Sequence, residues 1–387
     1  MATPPRSTNR LKVATIVGTR PELIKMSRVI AALDRYTDHV LIHTGQNYDY
    51  ELNQVFFEQL EIRRPDYSLE AAGDTPAETI AAVITKSDQL LRQLKPDAVL
   101  LYGDTNSCLA AISVKRLQIP LFHMEAGNRC FDDRVPEEIN RRIVDHTSDI
   151  NMTLTEHARR YLLAEGIRPE TVFKIGSSML EVLNHYRPGI EKSPVLSELR
   201  LQPGAYMVVS SHREENVDSP RKLERLIAGL RRLQTEFGKE IIFSTHPRTR
   251  KRLEDLNVSG LDKVRFLKPL GFFDYVRLQQ AAFCVLSDSG TLTEESSLLN
   301  FPAVMIRDAH ERPEGMDVGT LVMSGLDPDR LIDSVRVVTD QVAVARAAGT
   351  RSPRIVPDYD TEDVSAKVVR IILSYTDYVN RTVWRRY

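Results

Sequence analysis

The chain has 387 residues, which is more than one ordinary hydrophobic core accommodates and favours two domains. Hydrophobic residues make up 42% and charged residues 27% of the sequence, as in soluble globular proteins. The net charge of −1 gives no electrostatic basis for a nucleic acid or a membrane as the main partner. No apolar run approaches the ~20 residues of a membrane span.

Two further features of the sequence are its polar N-terminal residues and the spacing of its cysteines. Residues 1–10 are polar and lack the apolar core of a signal peptide, so a disordered leader is predicted. Cys108, Cys130 and Cys284 lie far apart, with neither CxxC nor CxxH spacing. This pattern fits a reducing compartment and offers no metal site, so the sequence predicts a cytoplasmic protein without a bound metal.

The first half of the chain alternates apolar strands with amphipathic helices. Strands are predicted at residues 11–17, 40–43, 98–102, 119–123 and 150–155. Helices are predicted to follow from residue 21, at 76–93, at 107–117, from 136 and at 156–165. Such regular alternation indicates a parallel sheet with helices on both faces.

The alternation pauses near residues 176–178, and residues 188–203 form a polar segment with several prolines. It then resumes, with strands predicted at 206–211, 241–244, 264–267, 284–287 and 303–306. We expect an N-terminal domain over 11–178 with a returning C-terminal helix at 362–387, and a C-terminal domain over 179–361. The predicted fold is α/β, with two Rossmann-like domains that face each other across a cleft.

Polar clusters recur directly after the predicted strands. They cover residues 18–22, 43–49, 103–105, 123–142, 211–216, 245–248, 287–291 and 307–314. Any strand-to-helix turn is polar, so one such cluster is uninformative. Because the carboxyl ends of parallel strands share one edge of a sheet, the whole set indicates a polar cleft.

Several of these clusters suit an anionic ligand. A helix that begins near Ser289 offers free backbone N–H groups to a phosphate, although an ordinary capping box explains the same residues. His212 follows a strand and is able to exchange a proton near neutral pH. Neither a GxGxxG fingerprint nor a Walker GK[ST] sequence is present, which disfavours dinucleotide redox and P-loop chemistry.

The charged side chains of the first half suggest acid–base chemistry. Asp104, Glu125 and Glu137 fall at or just after strand ends, where converging carboxylates serve as acid and base. Separate helix caps and surface acids are the alternative. Nearby cations fit a diphosphate ligand: Arg20, Lys25, Arg129, Arg134, Arg141 and Arg142. Solvation at the surface is the competing explanation, above all for Arg142.

Taken together, these segments resemble the non-hydrolysing UDP-N-acetylglucosamine 2-epimerase family. In the first half the matching pieces are Gly18-Thr-Arg-Pro-Glu-Leu-Ile-Lys-Met26, Thr44-Gly-Gln46, Gly103-Asp-Thr105, His123-Met-Glu-Ala-Gly127 and Pro136-Glu-Glu-Ile-Asn-Arg141. In the second half they are His212-Arg-Glu-Glu-Asn216, His246-Pro247, Ser287-Asp-Ser-Gly290, Glu294-Glu295 and Glu311-Arg-Pro-Glu314. Each piece is weak alone, but the ordered set is specific.

The resemblance implies a glycosyltransferase-B-like pair of domains and an epimerisation at sugar C2 that uses no metal, NAD or other cofactor. In the family, a base removes the C2 proton while UDP leaves C1 by anti elimination. The resulting 2-acetamidoglucal is reprotonated on its other face, and UDP adds back. A UDP-N-acetylhexosamine substrate, a homodimer and a place in nucleotide-sugar metabolism for polysaccharide biosynthesis are further implications.

The resemblance also assigns roles to individual residues. Asp104, Glu125 and Glu137 match the family's catalytic acids, with Asp104 and Glu137 favoured for proton transfer, and His212 matches the histidine at the leaving UDP. Substrate and UDP contacts are implied for a further set: Arg20, Lys25, Gln46, Arg141, Ser289, Gly290, Thr291, Glu295 and Arg312.

Three segments depart from the commonest family pattern. Asn47 replaces a histidine, Thr291 replaces a glycine, and residues 127–132 replace a Gly-Leu-Arg-Thr-Gly-Asp-like run. These variants look like the branch that makes UDP-N-acetyl-L-fucosamine from its 6-deoxy-talosamine epimer. Gln46 and Asn47 also fall where some members bind UDP-N-acetylglucosamine as an activator, so the asparagine bears on that regulation.

Three alternatives remain open at the level of sequence. A hydrolysing 2-epimerase would release free sugar and UDP, and a glycosyltransferase of the same fold would need an acceptor groove. A non-catalytic sensor of nucleotide sugars belongs to a different class, and tight UDP binding without turnover would identify it.

Overall fold

The computed structural model describes residues 10–45, 57–211, 213, 216, 219–245, 249, 252 and 260–386. The chain divides into two compact units. Unit 1 comprises Met1–Asn184 and Thr361–Tyr387, and unit 2 comprises His185–Asp360. Each unit is built on its own parallel sheet with helices, so the predicted α/β fold with two Rossmann-like units is confirmed. In the described part of the chain, no helix is both long and apolar enough to cross a membrane.

Over the described residues, the sheet of unit 1 has seven strands in the order β3-β2-β1-β4-β5-β6-β7, paired in parallel. The strands are β1 (Lys12–Val17), β2 (Asp38–His43), β3 (Tyr67–Ser68), β4 (Ala98–Tyr102), β5 (Leu121–Met124), β6 (Ile150–Thr153) and β7 (Val172–Lys174). The central strands are buried on both faces, which explains their continuous apolar sequences.

The helices of unit 1 start at recognisable sequence signals. The first two begin with a capping box and a proline, Thr19 with Glu22 in one and Thr75 with Glu78 in the other. The helices are α1 (Arg20–Tyr36), α2 (Pro76–Leu94), α3 (Ala111–Arg116), α4 (Pro136–Thr147), α5 (Glu156–Ala164) and α6 (Met179–Glu191), which continues into unit 2. The C-terminal helix of the chain, named α13 below, also belongs to unit 1.

Over the described residues, the sheet of unit 2 has six strands in the order β10-β9-β8-β11-β12-β13, again parallel. The strands are β8 (Tyr206–Ser210), β9 (Glu240–Ser244), β10 (Val264–Leu267), β11 (Cys284–Ser287), β12 (Ala303–Met305) and β13 (Val322–Met323). The remaining helices are α7 (Val195–Glu198), α8 (Pro220–Phe237), α9 (Phe272–Ala281), α10 (Thr291–Leu299), α11 (Pro313–Val318), α12 (Pro328–Ala347) and α13 (Val364–Thr382).

Alternate residues of each central strand face the two layers of helices in unit 2. Met207 and Val209 of β8 pack in one cluster with residues of α8 and α12. Their neighbours Tyr206 and Val208 pack in a second cluster with residues of α9 and α10. This two-residue period places a hydrophobic layer on each face of the sheet, so the sheet is covered on both sides.

Three details differ from the sequence-based expectations. The short strands β3, β7 and β13 were not predicted. The predicted helix at 107–117 is a 3₁₀ turn (Asn106–Ala110) followed by α3. A helix, α6, runs through Pro188, where a polar segment was expected, because Val182, Tyr186 and Ile190 form a buried apolar stripe at helical spacing.

The order of strands creates a crevice in each sheet. In unit 1 the chain moves outward from β1 in one direction to β2 and in the other to β4, and in unit 2 it does the same from β8 to β9 and β11. In open α/β sheets, ligands bind outside the carboxyl ends of the strands at such switch points. The turns after β1 and β4, and those after β8 and β11, are therefore the places to look for a site.

Candidate active site

The turns after β1, β2 and β4 are locked together in unit 1. Thr44 and Ser107 share a hydrogen bond of 2.8 Å between their hydroxyl oxygens. A Cβ added at Gly18 would lie 2.0 Å from the Ser107 oxygen and 2.2 Å from that of Thr44. Only glycine leaves room for this hydroxyl pair, so the first turn must carry Gly18.

Glu22 lies beneath the same turns and is almost fully buried. Its carboxylate accepts hydrogen bonds from the backbone N–H of Gly18 at 2.6 Å and from the hydroxyl of Thr105 at 2.6 Å. Burial raises the pKa of Glu22 to about 7, although these donors act in the opposite direction. Glu22 thus connects the turn that carries Arg20 to the turn that carries Asp104.

Asp104 follows β4 and is held from helix α4. Arg141 donates from Nε to the Asp104 carboxylate at 2.8 Å and from Nη1 to Glu138 at 2.9 Å. Asn140 donates to the backbone oxygen of Asp104 at 2.9 Å. Glu138 is fully buried, and while burial acts to raise its pKa, donors that include the Cys130 N–H and Arg141 hold that pKa below its ordinary value.

Glu125 follows β5 with a left-handed backbone, at a φ of 64°. Its carboxylate lies 3.5 Å from the ammonium of Lys25 and accepts from the amide of Asn128 at 3.2 Å. Lys25 is buried, and its ammonium also lies 5.9 Å from the centre of the Tyr102 ring. The structure therefore brings together two of the predicted residues, Lys25 and Glu125.

The prediction that Arg129 faces an anionic ligand is wrong. Its side chain is buried, and it donates from Nε and Nη2 to the two oxygens of Glu165, both at 2.7 Å. Its Nη1 donates to Asp145 and to the backbone oxygen of Asn128, also at 2.7 Å. The neighbours of Arg129 on α4 and after α5 are carboxylates, so its guanidinium donates its hydrogen bonds within the protein.

The other cations predicted in this stretch also face protein carboxylates. Arg134 is exposed and pairs with Asp132 at 2.7 Å. Arg142 is half exposed and pairs with Asp133 at 3.0 Å, in line with the solvated-surface alternative.

Two further predicted residues of the first half lie at helix starts. Arg20 is the first residue of α1, and Glu137 lies half-buried in the first turn of α4, so both occupy helix starts after strands of the sheet. Gln46 lies outside the described residues.

In unit 2, Asp288 is the fully buried anchor of the turns after β8 and β11. It accepts hydrogen bonds from the Ser211 hydroxyl at 2.8 Å, the Arg213 backbone N–H at 3.1 Å and the Asn216 amide at 3.2 Å. His212 lies outside the described residues, but its two sequence neighbours are thus both bonded to Asp288.

Helix α10 begins at the segment where a helix start was predicted. Ser289 and Thr291 have their hydroxyl oxygens 3.0 Å apart, and Gly290 lies between them at the helix N-cap. A Cβ at Gly290 would lie 2.3 Å from a carboxylate oxygen of Glu311. The close approach of that side chain explains why a glycine stands here.

Two further predicted residues are held by neighbours in unit 2. Arg312 is buried and lies 3.2 Å from the carboxylate of Glu294. Glu295 accepts from the side-chain amide of Gln279 on α9 at 2.6 Å. Gln279 is fully buried, and nothing in the sequence signals its link to Glu295 because sixteen residues separate them.

Residues 31–373 match the UDP-N-acetylglucosamine 2-epimerase family. The chain belongs to this family. The fucosamine-forming branch is a finer distinction that this match does not make.

Structures of similar proteins have been solved. A UDP-N-acetylglucosamine 2-epimerase structure from Rickettsia bellii is 56% identical, with a TM-score of 0.90 over 98% of this chain and 100% of that one. A Methanocaldococcus jannaschii UDP-GlcNAc 2-epimerase in complex with UDP-GlcNAc and UDP is 32% identical, with a TM-score of 0.87 over 94% and 100%.

Another member of this 2-epimerase family carries a different substrate in its name. The UDP-2,3-diacetamido-2,3-dideoxy-D-glucuronate 2-epimerase of Pseudomonas aeruginosa is 34% identical over 84% of this chain and 92% of its own length. Relatives that are 32% and 34% identical to this chain thus carry different UDP-sugars in their names, and the overall match does not identify the sugar.

Proposed function

We propose that the protein is a non-hydrolysing 2-epimerase of a UDP-N-acetylhexosamine. The observation that carries this proposal is the placement of acids and cations at the switch point of unit 1. Asp104 and Glu125 follow neighbouring strands, and Arg141 and Lys25 contact them directly. An acid–base reaction needs this combination of fixed carboxylates and cations at one strand edge.

The chemistry explains why both kinds of group are needed. The proton at sugar C2 is not acidic, since no carbonyl adjoins that carbon. Its removal must accompany cleavage of the C1–O bond, with the electron pair leaving on UDP. The product pair is a 2-acetamidoglucal and UDP, and the base retains the proton until the other face of the glycal is protonated and UDP adds back. We assign proton transfer to Asp104 and Glu137, with Glu125 in support.

Unit 2 supports the UDP part of the proposal. The N-terminus of α10, with Ser289, Gly290 and Thr291, offers backbone N–H groups and hydroxyls to a diphosphate. Arg312 adds a buried cation, and Glu295 is assigned to the ribose hydroxyls. We assign His212 to the leaving UDP.

The remaining substrate assignments follow the residues matched in the first half. Arg20 and Lys25 are assigned to the diphosphate, and Gln46 is assigned to substrate binding. Arg141 is assigned to the substrate end of the site through its contact with Asp104.

The sugar is the part of the proposal with the most open choices. UDP-N-acetylglucosamine and its manno epimer are the first candidates, since solved structures of such similarity carry that name. The altered residues 127–132 support the 6-deoxy pair, UDP-N-acetyl-L-fucosamine and its talosamine epimer. A diacetamido-glucuronate sugar is the third candidate.

One experiment tests the function and selects the sugar. The protein is incubated in D2O with each UDP-sugar, and NMR follows deuterium at C2, the epimer and free UDP. We expect deuterium at C2 and net epimerisation with one sugar pair. Accumulation of free sugar with UDP would show a hydrolysing epimerase. Sugar transfer without exchange at C2 would show a glycosyltransferase, and tight UDP binding without turnover would show a sensor.

Variants test the assignment of the acids. Asp104→Asn and Glu137→Gln are each expected to abolish deuterium incorporation at C2, since each removes a proton-transfer group. Asp133→Asn is the matched control, because Asp133 lies in the same segment but is exposed and pairs with Arg142. Wild-type exchange in both acid variants would show that other groups transfer the proton.

Two implications of the resemblance stay predictions. Light scattering of the purified protein tests the homodimer, and cell fractionation tests the cytoplasmic location. Neither result is needed for the proposed chemistry.

A further inference from the structure

A buried histidine connects the two turns that carry the proposed acids. His123 lies in β5 with its ring almost fully buried. Its Nε2 is 2.8 Å from the backbone oxygen of Gly103, the residue before Asp104. Its Nδ1 is 2.9 Å from a carboxylate oxygen of Asp145 in α4. The ring therefore spans from the turn after β4 to helix α4.

Asp145 also holds the turn after Glu125. Its second carboxylate oxygen accepts from the backbone N–H of Gly127 at 3.1 Å and from Arg129 at 2.7 Å. Gly127 has a φ of 83°, and a Cβ there would lie 2.4 Å from the backbone oxygen of Ala158. The turn after Glu125 is thus confined from two sides. The Asp145 carboxylate that orients His123 also fixes the position of this turn.

The direction of the hydrogen bond to Gly103 follows from its partner. A backbone carbonyl oxygen only accepts, so Nε2 must carry the hydrogen in this contact. The carboxylate of Asp145 also accepts from the ring, and it is ionised, since donation from His123 and Arg129 outweighs burial and lowers its pKa. The ring consequently acts as a fixed donor towards the Gly103 carbonyl.

We propose that His123 is a positioning residue of the epimerisation, which fixes the Asp104 turn by donating from Nε2 to the Gly103 carbonyl while Asp145 orients its ring. Neither His123 nor Asp145 contacts the sugar in this proposal. Their effect passes through the backbone on either side of the acids, Gly103 before Asp104 and Gly127 after Glu125. The inference rests on the proposed function, since a positioning role requires the acids to act.

Two substitutions separate the two ends of the ring. In His123→Asn the amide nitrogen replaces Nδ1, so the contact to Asp145 survives and the contact to Gly103 is lost. In His123→Gln the amide nitrogen replaces Nε2, so the contact to Gly103 survives and the contact to Asp145 is lost. His123→Asn keeps a hydrogen-bond donor to the buried charge of Asp145. His123→Gln keeps the proposed positioning contact to Gly103.

The expected result is an inversion between stability and activity. His123→Asn is expected to be the more stable variant, yet its kcat should fall about 100-fold, as for a displaced catalytic group. His123→Gln is expected to be less stable and to retain the higher kcat. KM for the UDP-sugar should change little in either, because the proposed UDP contacts lie elsewhere. His185→Asn, an exposed histidine of unit 2, serves as the control with wild-type kinetics.

The outcomes are decisive in each direction. A kcat in His123→Asn that equals or exceeds that of His123→Gln would overturn the proposal, as would equal losses or wild-type activity in both. If neither variant folds, ¹⁵N NMR of histidine-labelled wild-type protein must show a slowly exchanging proton on Nε2 of His123, and its absence would refute the positioning contact. A wild-type protein that exchanges no C2 proton would instead refute the proposed function.

Discussion

Arg141 links Asp104 to Glu138 through one guanidinium. Its Nε donates to Asp104 at 2.8 Å and its Nη1 to Glu138 at 2.9 Å, from a side chain that is 3% exposed. Glu138 is fully buried, so Arg141 neutralises an interior charge at the same time as it orients a proposed acid. A lysine at this position has one nitrogen and is unable to make both contacts in the same geometry.

Substitution of Arg141 should therefore affect both activity and stability. Arg141→Lys is expected to lower kcat about 100-fold, because Asp104 loses its fixed orientation. Arg141→Met should in addition cost about 3 kcal/mol or more in the free energy of unfolding, because it leaves Glu138 without its buried cation. C2 exchange by NMR and urea denaturation measure the two effects.

The adjacent residue provides a matched comparison for Arg141. Arg142 belongs to the same helix and also approaches Glu138, at 3.4 Å, but it is half exposed. Arg142→Lys is expected to keep wild-type kcat and a free energy of unfolding within about 1 kcal/mol of the wild type. Equal effects of the two Arg→Lys changes would contradict a specific role for the Arg141–Asp104 pair.

Glu22 predicts a pH dependence of stability. Burial raises its pKa from 4.5 to about 7, so the folded protein favours the neutral carboxyl. The stability that this group contributes is fully present below pH 4.5, declines as the pH rises, and is lost above about pH 7. The total is about 3 kcal/mol, at about 1.4 kcal/mol per pH unit. Glu22→Gln should flatten this part of the stability profile, as denaturation between pH 5 and 8 would show.

The control for Glu22 is another capping-box glutamate at the same helix position. Glu78 accepts from the Thr75 backbone N–H at 3.0 Å, as Glu22 does from Thr19, but it is exposed. Glu78→Gln is expected to keep the wild-type dependence of stability on pH. A Glu22→Gln protein with an unaltered profile would show that Glu22 is ionised in the folded state throughout this range.

Asp288 is expected to control the segment that contains His212. One oxygen of its carboxylate accepts from Ser211, Arg213 and Asn216, and a neutral amide oxygen in its place is a weaker acceptor for all three donors. Asp288→Asn should therefore lower the free energy of unfolding by about 1–3 kcal/mol and weaken UDP binding. Calorimetry and thermal denaturation provide the two measurements.

An exposed aspartate of the same unit serves as the comparison for Asp288. Asp308 pairs with Lys222 at 2.8 Å on the surface, where an ion pair contributes little. Asp308→Asn should leave both UDP affinity and stability close to wild type. Undiminished UDP binding by Asp288→Asn would separate the turn after β8 from the nucleotide site.

The sequence predicted the central strands well because their burial is written in their composition. Residues 98–102 and 284–287 were expected as strands, and both are buried central strands in the structure. The edge strands β3 and β13 have two residues each, too few to show a hydrophobic period. They exist because a neighbouring strand offers hydrogen-bonding groups, and that is a property of the assembled sheet.

The candidate site likewise has a part that the sequence predicted and a part that it did not. Strand ends and family motifs pointed to Asp104, Glu125 and the start of α10, all of which lie after strands of the two sheets. The contacts that hold them were not foreseen. A helix start was expected at residues 18–22, but the burial of Glu22 was not, and the contacts of Asp145 depend on which elements pack together.

The backbone at Glu125 has a consequence for the evolution of this chain. A left-handed conformation at a φ of 64° costs a residue with a side chain about 1–2 kcal/mol, and glycine avoids that cost. Glycine at position 125 would thus remove a backbone cost, but it would also remove the carboxylate that faces the buried ammonium of Lys25, and these two effects on stability oppose each other. A variant selected by thermal screening alone could carry this change and lack one of the proposed acids, so thermal screening needs to be paired with a turnover assay.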